Sequence, residues 1–381
     1  MTIAKGFSIC NELQQIGRKE MTDEFYMSLA LDLAGTTKQQ TSPNPAVGAV
    51  IVSNGEIVGL GAHLKAGSPH AEIHALRMAG SQAKGSTVYV TLEPCSHYGK
   101  TPPCANALIE AGVSRVVIAA QDPNPLVAGK GLQLLRDAGI EVTTDILLER
   151  AQALNKEFFA YIQQRKPFVT LKQAITLDGK IAAKRGIGEQ VTSKESQVDV
   201  HKDRENHDAI LVGIGTVCSD NPRLTNRLGN TKKQPIRIIL DTHLRITPDR
   251  LVIMDSSAPT WIVTGSKASA EKIAQLSQIS HVEILQLSNP LIDIEELLLE
   301  LGKRQIMKLY VEGGQTVNAS FLKSGSVNQL ITYIAPKIVG GTNAIPMFSD
   351  LGVKQMENAF ELKLQEIHKI GEDLKIVSVL K

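Results

Sequence analysis

Residues 46–63 hold two β-rich runs, AVGAVIVS and EIVGLGAH, joined through Asn54-Gly55. That pair tolerates positive φ at both centres of a tight turn, so the pattern predicts an antiparallel hairpin. Ahead of it, Phe25, Tyr26, Leu29, Ala30 and Leu33 recur at helical spacing along Asp23–Ala34, which predicts an amphipathic helix. Downstream, the apolar runs at 86–92 and 115–120 and a third from Ile140 read as strands. Helix-like stretches begin at His70, Pro103 and Lys130 between them. The product is an alternating α/β layer of roughly 120–130 residues that closes near Asp145.

A polar helical stretch at 147–167 then leads into FVTLKQAI, and the alternation starts again. Strand-like runs occur at 208–212, 235–240, 260–264, 282–286, 307–311 and 327–334, with helices such as Ile292–Leu301 between some of them. Strands separated by helices imply a mostly parallel sheet. No internal repeat relates the two halves, so they read as different folds fused. The expected division is an N-terminal extension at 1–21, one domain at 22–147, a connecting segment at 148–167 and a second domain at 168–381.

Composition narrows the partners. Net charge is +2 with the basic residues dispersed, which argues against a nucleic-acid or anionic-membrane surface. No apolar run is long enough to span a bilayer, and the first twenty residues lack the apolar core of a signal peptide. Four scattered cysteines do not make a disulfide framework in 381 residues, and a reducing cytoplasm fits them best. The expected partner is a small molecule, with homo-oligomer formation left open.

His70-Ala71-Glu72, Pro94-Cys95 and Cys104 follow one another in the order of the zinc-deaminase signature, one His and two Cys leaving the fourth position to water. Thiolates and imidazole suit Zn²⁺, which lowers the pKa of bound water towards ~7. Glu72 then serves as proton carrier rather than ligand. Eight residues separate Cys95 from Cys104 where short spacing is usual, so the intervening loop must fold back. His97 in that loop is an alternative ligand. His74 shares a helix face with His70 if both are helical, and reads as a packing residue.

The blocks TSPNPAVGAVIV, GAHLKAGSPHAEIHAL, TLEPCSHYGKTPPC and DPNPLVAGKGLQLLRDAGIEV resemble the deaminase half of the bifunctional riboflavin-biosynthesis deaminase/reductase family. That resemblance implies a cytidine-deaminase-like α/β/α domain, with His70, Cys95 and Cys104 as zinc ligands and Glu72 as proton shuttle. It places Asn44, His63, His97 and Lys100 around a pyrimidine ribotide. Tyr98 stands where the family commonly has His.

In the second half, Val212-Gly213-Ile214-Gly215-Thr216 begins like a dinucleotide fingerprint, but Cys218 occupies the third glycine position. Gly313-Gly314 ends a strand and opens a helix at Gln315, where bare N–H groups suit a phosphate. VTLKQAITLDGKIA, HDAILVGIGTVCSDNPRLTNR and LYVEGGQTVNASFL resemble the reductase half of the same family, which implies a dihydrofolate-reductase-like α/β domain using NADPH. By that resemblance Ala174, Gly188, Gln190, Thr216, Asp220, Gly314, Gln315, Thr316, Val317, Asn318, Ala319 and Ser320 hold the cofactor. Lys172, Arg204, Leu224, Arg227 and Glu312 hold the substrate, the two arginines clamping its phosphate, and Asp178 matches in the first turn. Gly188 and Gln190 replace the family's usual Ser and Trp, Asn221 replaces an Asp, and Gln197 an Arg. The expected function is zinc-dependent deamination of a diaminopyrimidine ribotide, then NADPH-dependent reduction of its ribosyl group. A deaminase of another nucleotide with a non-reducing second domain, and a scaffold with structural zinc, are the alternatives.

Overall fold

The computed structural model describes residues 21–96, 103–125, 127–184, 186, 190–229 and 234–381. The chain divides into two compact units, Met1–Gln163 and Gln164–Lys381.

In the first unit a five-stranded sheet has the order β2-β1-β3-β4-β5. Its strands are β1 (Gly48–Ser53), β2 (Glu56–Ala62), β3 (Thr87–Val90), β4 (Arg115–Ile118) and β5 (Glu141–Thr143). β1 runs antiparallel to β2 and β3, while β3, β4 and β5 are mutually parallel. The hairpin turn is the one the sequence predicts, with φ of 52° at Asn54 and 79° at Gly55. Side chains alternate between two cores with the period of a strand. Ala49, Ile51, Val88, Val90, Val116 and Ile118 face helices α2 (Ala71–Ala79), α3 (Cys104–Glu110) and α4 (Lys130–Asp137). Val50, Val52, Tyr89 and Val117 face α1 (Asp23–Thr37) and α5 (Leu148–Leu154), after which the chain forms α6 (Lys156–Gln164). A sheet buried on both faces is the α/β/α sandwich expected.

Two glycines set how closely α2 lies on the sheet. A Cβ on Gly61 would sit 2.1 Å from the Ala71 carbonyl oxygen, and one on Gly59 2.4 Å from that of Ala75. Only a bare backbone in β2 lets the start of α2, which carries Glu72, approach to this depth.

The second unit is built on a nine-stranded sheet of order β11-β10-β9-β8-β12-β6-β13-β16-β15. The strands, in chain order, are β6 (Phe168–Thr176), β8 (Ala209–Gly213), β9 (Ile236–Leu240), β10 (Thr260–Thr264), β11 (Val282–Gln286), β12 (Lys308–Gly313), β13 (Gln329–Ala335), β15 (Leu362–Ile370) and β16 (Asp373–Leu380). β7 (Lys180–Ala182) and β14 (Ile345–Pro346) pair separately. Every strand from β11 to β13 in the sheet is parallel to its neighbour, whereas β16 and β15 add an antiparallel edge. Helices α7 (Lys194–Glu205), α8 (Ile214–Asp220), α9 (Leu251–Met254) and α10 (Ala270–Leu276) cover one face. α11 (Ile294–Lys303) and α12 (Gln315–Lys323) cover the other.

The β15–β16 hairpin is the element that the hydrophobic pattern does not announce. Its pairing register shifts between Leu364 and Glu366, which breaks the alternation that marks a strand. Nearly all of β15 is exposed, so burial did not select apolar residues along one face.

Candidate active sites

In the first unit the chemistry collects where α2, the end of β3 and α3 meet. His70 is the residue before α2, with an extended backbone of φ −74° and ψ 166°. His70 thus precedes the helix in which His74 lies, and the His74 backbone N–H donates to the His70 carbonyl. Cys104 opens α3 and its backbone N–H donates to Cys95 Sγ at 3.2 Å. His70 Nδ1 lies 3.2 Å from Cys104 Sγ and 3.6 Å from Cys95 Sγ, and the three ligand atoms lie within 4.8 Å of one another. A tetrahedral ion with bonds of about 2.0–2.3 Å sets its ligands roughly 3.3–3.8 Å apart, so these residues fit zinc.

Glu72, in the first turn of α2, is only 3% exposed. Burial pushes its carboxyl up to about 7, against the pull of its own backbone N–H and of His70. Cys104 reaches the carboxyl, yet Oε2 has no hydrogen-bond partner among the described residues. Cys95 is held down to about 4, chiefly because its sulfur accepts from Cys104 and, despite burial, also interacts with His70. A thiolate beside an imidazole and a second sulfur is the donor set a zinc ion requires.

His63 and Asn44 stand next to this cluster. The His63 ring meets that of His70 edge-on at 5.3 Å, its Nδ1 lies 3.2 Å from the Pro69 carbonyl, and its Nε2 lies 3.1 Å from Asn44 Nδ2. Burial lowers the His63 pKa. Donation to Pro69 therefore leaves Nε2 as the acceptor from Asn44, which turns the Asn44 carbonyl oxygen the other way. His97 and Lys100 lie outside the described residues.

In the second unit a cavity of about 780 Å³ opens at the carboxyl ends of β8, β9 and β12. The chain leaves β8 towards β9 and leaves β12 towards β13, in opposite directions across the sheet, and such a divergence is where parallel sheets bind ligands. Thr216, Asp220, Gly314, Gln315, Thr316, Val317 and Ser320 line it. Thr216 Oγ1 donates to the Gly313 carbonyl at 2.9 Å, binding the two loops together. Asn318 and Ala319 are buried behind the wall, and the Asn318 amide donates to the Met347 carbonyl at 2.9 Å. Gly313 has no room for a side chain, because its Cβ would fall 1.7 Å from Asn318 Oδ1. Ala174 lies in β6 and does not line the cavity. Gln190 is exposed, its amide donating to the Thr192 carbonyl at 3.2 Å, and Gly188 lies outside the described residues. His243, Arg245 and Lys184 also line the cavity and were not anticipated. For His243 and Arg245 the usable signal is their place just beyond the parallel strand β9, which periodicity does not weigh, whereas Lys184 follows β7, which pairs antiparallel with β14.

Near this cavity Arg204 makes a two-point pair with Glu312, at 2.5 and 2.8 Å, and donates to the Thr225 carbonyl at 3.0 Å. Lys172 Nζ is 4.0 Å from the same carboxylate. Burial alone would raise the Glu312 pKa, but Arg204 and Lys172 outweigh it and hold it at about 2. Leu224 is buried at φ 54°, and the Arg227 backbone N–H donates to His201 Nδ1 at 3.4 Å. Burial, with Arg204 and Arg227 nearby, lowers His201 to about 4 and so keeps that ring neutral. Asp178 accepts from Thr176 and from the N–H groups of Val339 and Gly340, which closes a turn.

Residues 20–120 match the cytidine and deoxycytidylate deaminase zinc-binding region, and residues 167–376 match the RibD C-terminal domain. The riboflavin biosynthesis protein RibD of Bacillus amyloliquefaciens is 46% identical over 94% of this chain and 96% of its own length. The chain belongs to the RibD family. The RibD protein of Aquifex aeolicus is 47% identical over 93% of this chain and 97% of its own. Among solved structures, an Acinetobacter baumannii RibD superposes with a TM-score of 0.84 at 37% identity, covering 94% of this chain and 99% of that one. The Thermotoga maritima diaminohydroxyphosphoribosylaminopyrimidine deaminase/5-amino-6-(5-phosphoribosylamino)uracil reductase gives 0.81 at 35%, with the same coverage. Like other RibD proteins, this chain is a bifunctional riboflavin-pathway enzyme, a zinc deaminase joined to an NADPH-dependent reductase. Matches across both halves do not favour a non-reducing second domain.

Proposed function

We propose that the first unit hydrolytically deaminates 2,5-diamino-6-(ribosylamino)pyrimidinone 5′-phosphate and that the second reduces the ribosyl group of the product to ribityl. The observation that carries the first assignment is the meeting of His70, Cys95 and Cys104 beside the buried, unpartnered oxygen of Glu72. His70, Cys95 and Cys104 hold the zinc, which when bound supplies a water acidified enough to attack near neutral pH. Glu72 takes one proton from water and delivers it to the ring nitrogen, then carries the second, from the new hydroxyl on carbon, to the amine, which departs as ammonia. The Asn44 carbonyl, turned by His63, accepts from the pyrimidine, and His97 and Lys100 complete the substrate site.

In the second unit the loops after β8 and β12 hold NADPH, with Thr216, Asp220 and the 314–320 segment as its cradle and Ala174, Gly188 and Gln190 towards the nicotinamide. Lys172, Leu224, Arg227 and Glu312 contact the ribotide. Arg204 and Arg227 clamp its phosphate, Arg204 also pairing with Glu312 through Nε and Nη2. Purified protein incubated with the diaminopyrimidine ribotide should release ammonia without NADPH and yield the ribityl product with it. No ammonia would remove the deaminase substrate assignment, and ammonia with no NADPH oxidation would remove the reductase one.

Replacing an indole with Gln190 forfeits packing area worth roughly 1–3 kcal/mol, which corresponds to NADPH binding about 10–100-fold weaker than the family norm. Gln190→Trp, alone or with Gly188→Ser, should therefore tighten NADPH in a calorimetric titration. Unchanged affinity would mean that this loop follows another path.

The partners are small molecules, without nucleic acid or membrane, in keeping with a net charge of +2 and with the lack of a long apolar helix among the described residues. Free Cys95 and Cys104 suit a reducing cytoplasm. A homo-oligomer is supported by β15, a sheet edge on which Leu364 and Ile367 are 57% and 58% exposed. Light scattering should show a smaller particle for Leu364→Lys with Ile367→Lys than for the parent chain.

A further inference from the structure

The DPNPLVAGKG segment has no part in the chemistry above, yet it is tied to the metal corner by one side chain. Glu93 is buried, two residues before Cys95. Its Oε2 accepts from the backbone N–H groups of Asp122 at 3.2 Å and Gly129 at 3.0 Å, while Oε1 accepts from Gly131 at 2.9 Å and Leu132 at 3.4 Å. The last two belong to the first turn of α4, whose N–H groups have no partner within the helix. One oxygen therefore closes both ends of the 122–129 loop, and the other caps the helix that follows. The Glu93 backbone N–H also donates to the Ala120 carbonyl at 2.9 Å.

The contact continues to the next residue. Gly131 is so close to Pro94 that a Cβ would sit 2.2 Å from the Pro94 carbonyl oxygen. Cys95 is gripped from its other side by α3, through Ala105 N–H to its carbonyl at 3.2 Å and Cys104 N–H to its sulfur at 3.2 Å. The Glu93-Pro94-Cys95 corner is thus wedged between the starts of two helices, and the carboxylate ties it to α4.

We propose that Glu93 is a positioning residue of the deaminase site, whose four backbone hydrogen bonds clamp the 122–132 segment under Pro94 and hold Cys95 in place as a metal ligand. It acts through Cys95 and touches no reacting atom. The proposal rests on the zinc reading given above.

Glu93→Gln keeps the shape but turns an amide N–H₂ towards two N–H donors, so one pair of bonds is lost whichever way the amide points. In the full-length protein, E93Q should release zinc to a chelator with an affinity lower by roughly 10–100-fold, the usual effect of losing a group that orients a ligand. Loaded with cobalt, it should show altered visible ligand-field bands, and its deaminase kcat should fall more than KM changes. Gly131→Ala presses on the same corner with the carboxylate intact and should alter the cobalt spectrum in the same direction. Glu93→Asp retains both oxygens and should recover part of the loss, and it replaces E93Q in the measurements if that variant is insoluble. Wild-type zinc affinity and cobalt bands in these variants, alongside a lowered melting temperature, would overturn the proposal and leave Glu93 a helix cap. A parent chain that takes up neither zinc nor cobalt would instead overturn the zinc reading itself.

Discussion

Glu72→Gln is expected to retain its metal and to lose deaminase activity by about 10²–10⁴-fold, the range a positioned acid/base contributes. The amide has the shape of the carboxyl but cannot take a proton from water or return it to the ring. Glu72 is 3% exposed and its Oε2 meets no donor among the described residues, so that oxygen is free to take up the proton. Because His70 and the two cysteines are untouched, metal analysis should give the parent content. Reductase activity on pre-deaminated substrate should stay near the parent value, since its residues belong to the other compact unit. Deamination surviving within tenfold would show that another group moves the proton.

Cys104→Ala should fail earlier, at the metal. Cys104 is 2% exposed and its Sγ lies 3.2 Å from His70 Nδ1, so alanine leaves two protein ligands where the site needs three. The expected outcome is protein purified with little zinc and little deaminase activity, which added zinc does not restore. The parent chain, stripped by a chelator, should recover on zinc addition. Full zinc content in the variant would transfer the third ligand position to His97.

The layering of each half was legible because strands buried on both faces leave short continuous apolar runs and Asn54-Gly55 marks its own turn. The zinc residues were legible for another reason: ligand chemistry restricts residue type so strongly that order and spacing alone suggest it. What stayed hidden lacked either constraint. β15 is exposed and bulged, so nothing periodic survives in it. The pairing of Arg204 with Glu312 was hidden too, because a sequence does not show which partner within the protein a cation has chosen. Glu93 sits inside a recognised block, but its partners are backbone N–H groups some thirty to forty residues away, which carry no residue-type signal.

The order of strands in the larger sheet bears on how the two activities arise as the chain is made. β12 enters between β8 and β6, with Gly313 pairing to Val212, so the cavity at the carboxyl ends of these strands has a wall missing until β12 and α12 have been synthesised. The metal ligands of the first unit, by contrast, all lie between residues 70 and 104. Contacts between distant parts of a chain form slowly, and domains near the N-terminus fold first during synthesis. A ribosome still carrying the later strands would therefore display a finished deaminase fold beside a half-built parallel sheet, whose open strand edges are the part of this protein most in need of a chaperone.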